Sequence, residues 1–318
     1  MQLSVLIPAN NEMFLGRTID DLLQHSEAET EVIAVLDGKW AEPPLIQNEK
    51  VNVIYVPQSI GQRAATNLAC KLSKGKYVAK IDAHCSFDQG FDRKMLEAFR
   101  ETGDNVTMVP TMRNLWAFDW KCYKCGWKKY QGPTPLKCEN CGRTHRLHRK
   151  MMWIGKERPQ SNSYCFDSEP HFQYFNEYTK RPGYREEVEK TGLTETMSLQ
   201  GSFFMCTREK YLELNLCDET FGSWGNQGLE VACKTWLSGG RVLVNHKTWY
   251  AHMFRTQGGD FGFPYEQHGR EVDRTKKRVW EFFTNGKWDK QIHSVSWLIE
   301  KFWPVKGWTD EALKTLKK

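Results

Sequence analysis

Residues 76–86 read KYVAKIDAHCS, an apolar run that ends in an aspartate and a histidine one residue apart, Asp82 and His84. The run is typical of a buried strand, and ligands collect at the strand ends of open α/β sheets. Alternate residues of an extended segment point to the same side, so these two side chains could hold one ion between them. Taken alone, an aspartate and a histidine at this spacing are more often a hydrogen-bonded loop pair than an ion-binding site. The rest of the sequence is needed to decide between these two interpretations.

Three more apolar runs precede this stretch. LSVLIPA, EVIAVLDG and VNVIYVP read as strands, and the segments 10–26 and 61–75 have the apolar spacing of helices. Strands that alternate with helices favour a parallel sheet with right-handed connections. Regularity returns after residue 198, with a helix at 226–240 and a strand at 241–252. We therefore expect an α/β fold.

The composition is that of an ordinary globular chain, with 318 residues of which 40% are hydrophobic and 26% charged. No apolar stretch reaches the length of a membrane span, and the first residues lack the features of a signal peptide. We therefore expect no membrane partner and a cytoplasmic location, which is the host cytoplasm if the protein is viral. Ten cysteines are then not expected to form a disulfide framework. The sequence does not indicate an oligomeric state.

Four cysteines in two Cys-x2-Cys pairs form the most specific motif of the chain. Each pair is a tight turn that directs two thiolates to one point, and two such turns make a tetrahedral cage. The cage has no open ligand position, so we expect a structural zinc ion held by Cys122, Cys125, Cys138 and Cys141. A redox pair or unrelated cysteines are the alternative.

Positive charge is concentrated in segment 121–150, which carries nine lysines and arginines against one glutamate. The rest of the chain is slightly acidic, so the basic character belongs to this zinc ribbon. Basic residues interleaved with aromatics suit the phosphate backbone and exposed bases of DNA. A solvated face that holds a loop in place explains the pattern equally well.

Several motifs together resemble a known family. VLIPANNE at residues 5–12, the strand end at Asp37 and KGKYVAKIDAHC at 74–85 resemble a family-two-type glycosyltransferase of the GT-A fold. DAHC, GSFFMCTREKYLEL, CDETFGSWGNQGLEVACKTWLSGG and HMFR are similar to the catalytic core of the polypeptide N-acetylgalactosaminyltransferases. The resemblance covers residues 1–112 and 198–256. It implies a Rossmann-like, mainly parallel sheet with flanking helices, into which the ribbon is inserted.

The resemblance also implies a reaction. Transfer from a UDP-sugar leaves charge on the departing diphosphate, and a divalent cation across the two phosphates neutralises that charge. In the family an Asp-x-His motif and a later histidine hold the ion, which places Mn²⁺ (or Mg²⁺) on Asp82, His84 and His252. The donor-binding positions that the family implies, besides Asp82, are Pro8, Ala9, Asn11, Glu12, Asp37, Arg63, Gly201, Ser202, Trp224 and Arg255.

One motif departs from the family pattern. Where the family has Trp-Gly-Gly-Glu-Asn-x-Glu, residues 224–230 read WGNQGLE, so that Gln227 replaces the glutamate that touches the sugar. Gly228 occupies the position of the aspartate base of inverting relatives. Without a carboxylate there, a retaining displacement is favoured, because the departing phosphate can take the acceptor proton. Glu230 either orients the acceptor or, as we slightly favour, pairs within its helix. The predicted catalytic set adds Trp224, Gln227, Glu230 and Arg255 to the three metal ligands.

These interpretations divide the chain into a nucleotide-sugar-binding half (1–115), the zinc ribbon (116–150), an irregular acceptor-side segment (151–197), the second half of the GT-A domain (198–260) and a C-terminal aromatic-rich extension (261–318). The favoured acceptor is a hydroxymethylated pyrimidine in DNA, as for some bacteriophage glycosyltransferases, bound through the basic ribbon. One alternative is a cytoplasmic enzyme that acts on protein Ser or Thr or on a glycan. A binding module on an inactive scaffold is less favoured.

Overall fold

The computed structural model describes residues 1–254, 265 and 269–317, which form a mixed α/β fold around one eleven-stranded sheet. The strands are β1 (Leu3–Ala9), β2 (Thr30–Asp37), β3 (Val51–Val56), β4 (Tyr77–Ile81), β5 (Cys85–Phe87), β6 (Val106–Cys122), β7 (Lys128–Tyr130), β8 (Leu147–Ser161), β9 (Tyr164–Phe166), β10 (Phe172–Tyr174), β11 (Leu193–Glu195), β12 (Phe203–Thr207) and β13 (Arg241–His252). The helices are α1 (Leu15–His25), α2 (Gln62–Leu72), α3 (Phe91–Thr102), α4 (Pro182–Thr191), α5 (Arg208–Glu213), α6 (Gln227–Leu237), α7 (Gly269–Thr284), α8 (Val295–Lys301) and α9 (Asp310–Leu316).

The first half of the sheet is parallel, as the alternation of strands and helices predicts. The order is β3-β2-β1-β4, and every residue of β1, β2 and β4 is buried. Strands covered on both faces need continuous apolar runs, which is what the sequence has there. The carboxyl ends of β1, β2 and β4 therefore meet at one edge of the sheet.

The second half of the sheet adds antiparallel strands. β12 lies antiparallel between β4 and β6, β13 runs parallel to β6, and β11 closes the edge. The parallel character predicted from the sequence thus holds for the first four strands, while the sheet as a whole is mixed. The short strand β5, which directly follows β4 in the chain, pairs antiparallel with the end of β13, so the end of β13 lies close to the end of β4 although the two are far apart in sequence.

A long hairpin carries the cysteine motif. β6 leaves the sheet and pairs antiparallel with β8 from Met112 to Cys122, and β7 pairs with the outer part of β6. A second apolar cluster underlies the hairpin, separate from the main core; it contains Phe14, Leu115, Ala117, Phe118, Trp120, Trp153, Ala251 and Met253. The hairpin is thereby packed against the main sheet on both sides of His252.

The aromatic C-terminal region packs on the body of the protein. Trp308 donates through its indole N–H to the carbonyl of Phe166 at 2.9 Å, and the ring of Phe302 meets that of Trp236 edge to face. Phe283, Trp288 and Leu298 belong to the main core. Within the described ranges, none of the helices is both long and apolar enough to span a bilayer.

Candidate active site

The three predicted metal ligands meet at the end of β4. β4 stops at Ile81, and residues 82–84 form a bend, so Asp82 and His84 come together through a turn and not through strand alternation. His252 is the last residue of β13 and pairs with Cys85 of β5, while the amide of Met253 donates to the carbonyl of His84 at 3.1 Å. Strand pairing therefore brings together residues that lie 170 positions apart.

The distances among the ligand atoms suit a divalent ion. The Nε2 atoms of His84 and His252 lie 3.0 Å apart, and Asp82 Oδ2 lies 3.3 Å from His252 Nε2 and 3.9 Å from His84 Nε2. Neighbouring ligands of an octahedral ion at about 2.1 Å are separated by about 3 Å. One carboxylate and two imidazoles are a donor set that Mn²⁺ accepts, with open positions for phosphate oxygens and water. The residues present therefore fit the ion that the resemblance implies.

The protonation states also suit coordination. Burial lowers the pKa of His252 to about 4, so its imidazole is neutral near pH 7 and can offer a lone pair. Burial alone would raise the pKa of Asp82, but Lys80 and the hydrogen bond from His252 hold it below its usual range. Glu12 Oε2 lies 3.3 Å from His84 Nδ1, which is the carboxylate–histidine arrangement that directs Nε2 toward a metal.

Lys80 belongs to this site and was not predicted. Its ammonium donates to Asp82 Oδ1 at 2.5 Å and to the carbonyl of Gly201 at 2.7 Å. The other carboxylate oxygen, Oδ2, is the one that faces the two histidines. A lysine two residues before the aspartate, inside an otherwise apolar strand, was the signal available in the sequence.

A cavity of about 320 Å³ opens beside the ligands. It gathers five of the predicted site residues, Asp82, Gly201, Ser202, Trp224 and Gln227. Phe166 and Phe172, from the small β9–β10 sheet within residues 151–197, also line the cavity. Sequence reasoning missed these two rings, since isolated aromatics in an irregular segment carry no periodic signal. A cavity of this size with mixed polar and aromatic walls is suited to a sugar.

Close packing accounts for Gly228. A Cβ at this position would overlap the carbonyl oxygen of Leu199, so no side chain fits without a backbone shift. The neighbouring Gln227 is buried and donates its amide N–H to the Cys217 sulfur at 3.1 Å. In this chain, therefore, no carboxylate side chain fits at residue 228 without a backbone shift.

Arg63 and Glu230 form a buried ion pair beneath the Trp224 turn. Their side chains are 1% and 0% exposed, and Arg63 Nε donates to Glu230 at 2.9 Å. The same guanidinium donates to the carbonyls of Gly222 (3.0 Å) and Gly225 (2.6 Å). Glu230 also accepts from Lys234 and from the amide of Asp218. Glu230 therefore pairs with Lys234 of its own helix and with Arg63 of α2, and Arg63 supports the turn instead of facing the cavity.

The remaining predicted donor-binding residues lie at the ends of β1 and β2. Pro8 and Ala9 end β1 in the buried interior, and Asn11 follows in an exposed bend with φ 53°. Asp37 is buried and accepts from the amides of Ile60 and Gly61 and from the Ser59 hydroxyl at 2.7 to 3.0 Å. It thus orders the 59–61 loop, and its contact with a nucleoside stays a prediction. Arg255 lies outside the described residues.

The four cysteines converge at the tip of the hairpin. The Sγ atoms of Cys122 and Cys141 are 3.8 Å apart and those of Cys125 and Cys138 are 3.6 Å apart. Four sulfurs at about 2.3 Å from a tetrahedral zinc are separated by about 3.8 Å, far more than a disulfide allows. The backbone N–H of Trp127 lowers the pKa of Cys125 to about 6, which favours the thiolate. The cluster is therefore suited to zinc.

Comparisons with known proteins agree with this geometry. Residues 4–150 match the family model "Glycosyl transferase family 2". The putative polypeptide N-acetylgalactosaminyltransferase 13 of Drosophila melanogaster is 24% identical over 93% of this chain and 48% of its own length. Polypeptide N-acetylgalactosaminyltransferase 3 of the same fly is 21% identical over 95% of this chain and 46% of its own. The chain thus spans about half the length of these curated relatives.

Two solved structures share the architecture. GalNAc-T7, crystallised with UDP, GalNAc and Mn²⁺, superposes with a TM-score of 0.64 at 15% identity, over 99% of this chain and 54% of that one. Staphylococcus aureus TarS 1-349 in complex with UDP-GlcNAc superposes with a TM-score of 0.55 at 12% identity, over 95% and 71%. The chain therefore has a GT-A-like mixed α/β fold whose residues 4–150 match glycosyl transferase family 2, and these matches support a glycosyltransferase.

Proposed function

We propose that the protein is a metal-dependent glycosyltransferase that moves a sugar from a UDP-sugar to a hydroxyl acceptor. The observation that carries the proposal is the convergence of Asp82, His84 and His252 beside a sugar-sized cavity that Asp82 lines. A bound divalent cation would supply charge neutralisation on the diphosphate as the glycosidic bond breaks. GalNAc-T7, which shares the fold, was crystallised with UDP and Mn²⁺.

The chain's own residues bind and orient the donor. Asp82 and the two imidazoles would hold the cation, and Glu12 fixes the orientation of His84. The backbone at Gly201 and the side chain of Gln227 line the space for the transferred sugar. The buried Arg63–Glu230 pair positions the turn that carries Trp224.

We propose that transfer proceeds with retention at the anomeric carbon. Among the described residues that line the cavity, Asp82 is the single carboxylate, and it is committed to the ion. A side chain at Gly228 would overlap the Leu199 carbonyl oxygen, so this position supplies no general base. The acceptor proton then passes to the departing phosphate, which needs no protein base.

We propose a Ser or Thr hydroxyl of a polypeptide as the acceptor. The curated relatives are named polypeptide N-acetylgalactosaminyltransferases, and they support a protein acceptor better than DNA. The DNA acceptor favoured from the basic ribbon finds no support in the comparisons. Phe172, 40% exposed at the cavity mouth, offers a ring against which an acceptor chain can pack.

DNA stays a second candidate because of one face of the hairpin. Three basic side chains lie side by side across the hairpin: Lys128 of β7, Lys121 of β6 and His148 of β8. The same face continues two residues further along the strands with Tyr130 of β7 and Lys150 of β8. The Tyr123 ring, 66% exposed, stacks on His148, and Lys156 lies 4.5 Å above the Tyr130 ring. Cations beside exposed rings suit single-stranded nucleic acid.

One experiment separates these acceptors. The protein is incubated with Mn²⁺, a panel of UDP-sugars and either Ser/Thr-rich peptides or hydroxymethylated DNA, and products are analysed by mass spectrometry. A hexose or N-acetylhexosamine increment on the peptides supports the protein acceptor, while an increment on digested nucleosides selects DNA. Asp82→Asn is the inactive control. An absence of both transfer and Mn²⁺-dependent hydrolysis of every donor would overturn the proposed activity.

A further inference from the structure

Lys80 is a buried lysine whose charged end reaches the sugar cavity. In the sheet it lies between Leu6 of β1 and Phe204 of β12, and its side chain is 1% exposed. Burying an ammonium is costly unless it is paired and hydrogen-bonded. The carboxylate of Asp82 and the carbonyl of Gly201 provide that pairing, and both lie on the wall of the cavity.

The ammonium has one donor more than these partners use. A lysine ammonium carries three N–H groups. Two are directed to Asp82 Oδ1 and Gly201 O, and the structure gives Lys80 no further partner among the described residues. Lys80 itself lines the cavity, so the third N–H has that space in front of it.

The electrostatic balance of the cavity points to the same role. Lys80 and Asp82 are the two charged side chains among its described lining residues. Once Oδ2 of Asp82 faces a cation, the Lys80 ammonium is the charged group that remains directed toward the sugar space. Gln227, neutral and already bonded to Cys217, presents no competing carboxylate.

We propose that Lys80 is a donor-specificity residue whose third N–H binds an oxygen of the transferred sugar. This inference rests on the proposed function and deepens it. In the same position Lys80 holds Oδ1 of Asp82, so one side chain links the metal-binding carboxylate to the sugar pocket. We assign the contact to the sugar and not to the nucleotide because Asp82 Oδ2, on the side facing the two histidines, would hold the cation and with it the diphosphate, while Lys80 lines the cavity beside it.

The test compares UDP with a UDP-sugar. Binding of each to the full chain with Mn²⁺ is measured by isothermal titration calorimetry, and the UDP-sugar is the one of a panel that the wild type binds most tightly. Lys80→Met removes the ammonium and keeps the length of the side chain. Because Lys80 also holds Asp82, we expect Lys80→Met to weaken both ligands, and loss of the charge-assisted hydrogen bond to the sugar predicts about tenfold or greater additional weakening for the UDP-sugar than for UDP.

Two further variants keep the result interpretable. Lys80→Arg retains the charge beside Asp82 but relocates the donors, so we expect UDP binding to persist and the preference for the UDP-sugar over UDP to fall. Lys210→Met removes another buried lysine, which bonds Asn105 beside a different pocket and should change neither affinity.

The possible outcomes test the contact between Lys80 and the sugar separately from the proposed glycosyltransferase function. Equal weakening of UDP and UDP-sugar by Lys80→Met would mean that Lys80 acts through Asp82 alone, and an unchanged ratio in both Lys80 variants would likewise overturn the sugar contact. A wild type that binds neither UDP nor any UDP-sugar would overturn the proposed function itself, and this inference with it.

Discussion

Replacing Glu230 by glutamine tests whether this residue acts in catalysis or in folding. Its carboxylate is fully buried and accepts from Arg63 Nε at 2.9 Å, Lys234 Nζ at 2.9 Å and the amide of Asp218 at 2.7 Å. Glutamine keeps the shape but removes the charge, which leaves Arg63, 1% exposed, without its carboxylate partner and leaves Lys234 only the Asp218 carboxylate at 3.8 Å. Removing one member of a buried pair costs about 3 to 5 kcal/mol.

The expected loss can be read as a melting temperature. With an unfolding entropy of about 2.1 cal/mol/K per residue, a chain of 318 residues changes Tm by about 1.5 °C per kcal/mol. We therefore expect Glu230→Gln to lower Tm by about 4.5 to 7.5 °C in a calorimetric or circular dichroism melt. Glu213→Gln, an exposed glutamate, is the matched control and should leave Tm unchanged.

Turnover of the donor by the Glu230→Gln variant decides whether Glu230 acts in catalysis or in folding. The folded variant, assayed well below its Tm, should still turn over donor because Glu230 touches neither the cavity nor the metal ligands. An unchanged Tm combined with complete loss of turnover would contradict this account and return Glu230 to the catalytic set.

Three other predictions follow from particular contacts. Gly228→Ala should yield unstable or insoluble protein, because the added Cβ would overlap the Leu199 carbonyl oxygen. Gly183→Ala is the control and should be tolerated, because a Cβ there meets nothing within 4 Å. Solubility and Tm of the two variants are compared. Elemental analysis should find about one zinc per chain, and Cys125→Ser should release it; disulfides in the purified wild type would contradict the cage. Burial lowers the pKa of His246 to about 4, while an unfolded histidine titrates near 6.5. Because the unfolded chain takes up the proton first, this contribution to stability is present above about pH 6.5 and is lost as the pH falls toward 4. His246→Gln should therefore make Tm fall less steeply between pH 6.5 and pH 4. An unchanged slope would contradict the lowered pKa of His246.

Much of the fold was predictable from the sequence because the parallel strands are fully buried. LSVLIPA and EVIAVLDG are continuous apolar runs, and the structure makes them β1 and β2 with every residue buried. The antiparallel insertion of β12 was not predictable, since pairing between distant strands leaves no periodic signal in a short apolar segment. The same holds for β6, whose 17 residues serve first the sheet and then the hairpin.

The candidate site was predictable where one motif supplies several ligands. Asp82 and His84 are adjacent in sequence, and the family resemblance supplied His252, which only strand pairing brings near. Residues whose role depends on three-dimensional neighbours were missed or misassigned. Lys80 reads as one polar residue in an apolar strand, and Arg63 was placed at the donor because the sequence does not show the buried carboxylate that pairs with it.

The central claim is that Asp82, His84 and His252 form a metal site that binds the diphosphate of a UDP-sugar. The most direct test is calorimetric titration of UDP into the protein with and without Mn²⁺, comparing wild type with His252→Ala. His246→Ala, at another histidine of β13 that is half-buried and lies outside the site, is the matched control. We predict UDP binding that requires Mn²⁺ in the wild type and the control and is lost in His252→Ala. Mn²⁺-independent UDP binding, or equal binding by His252→Ala, would contradict the account.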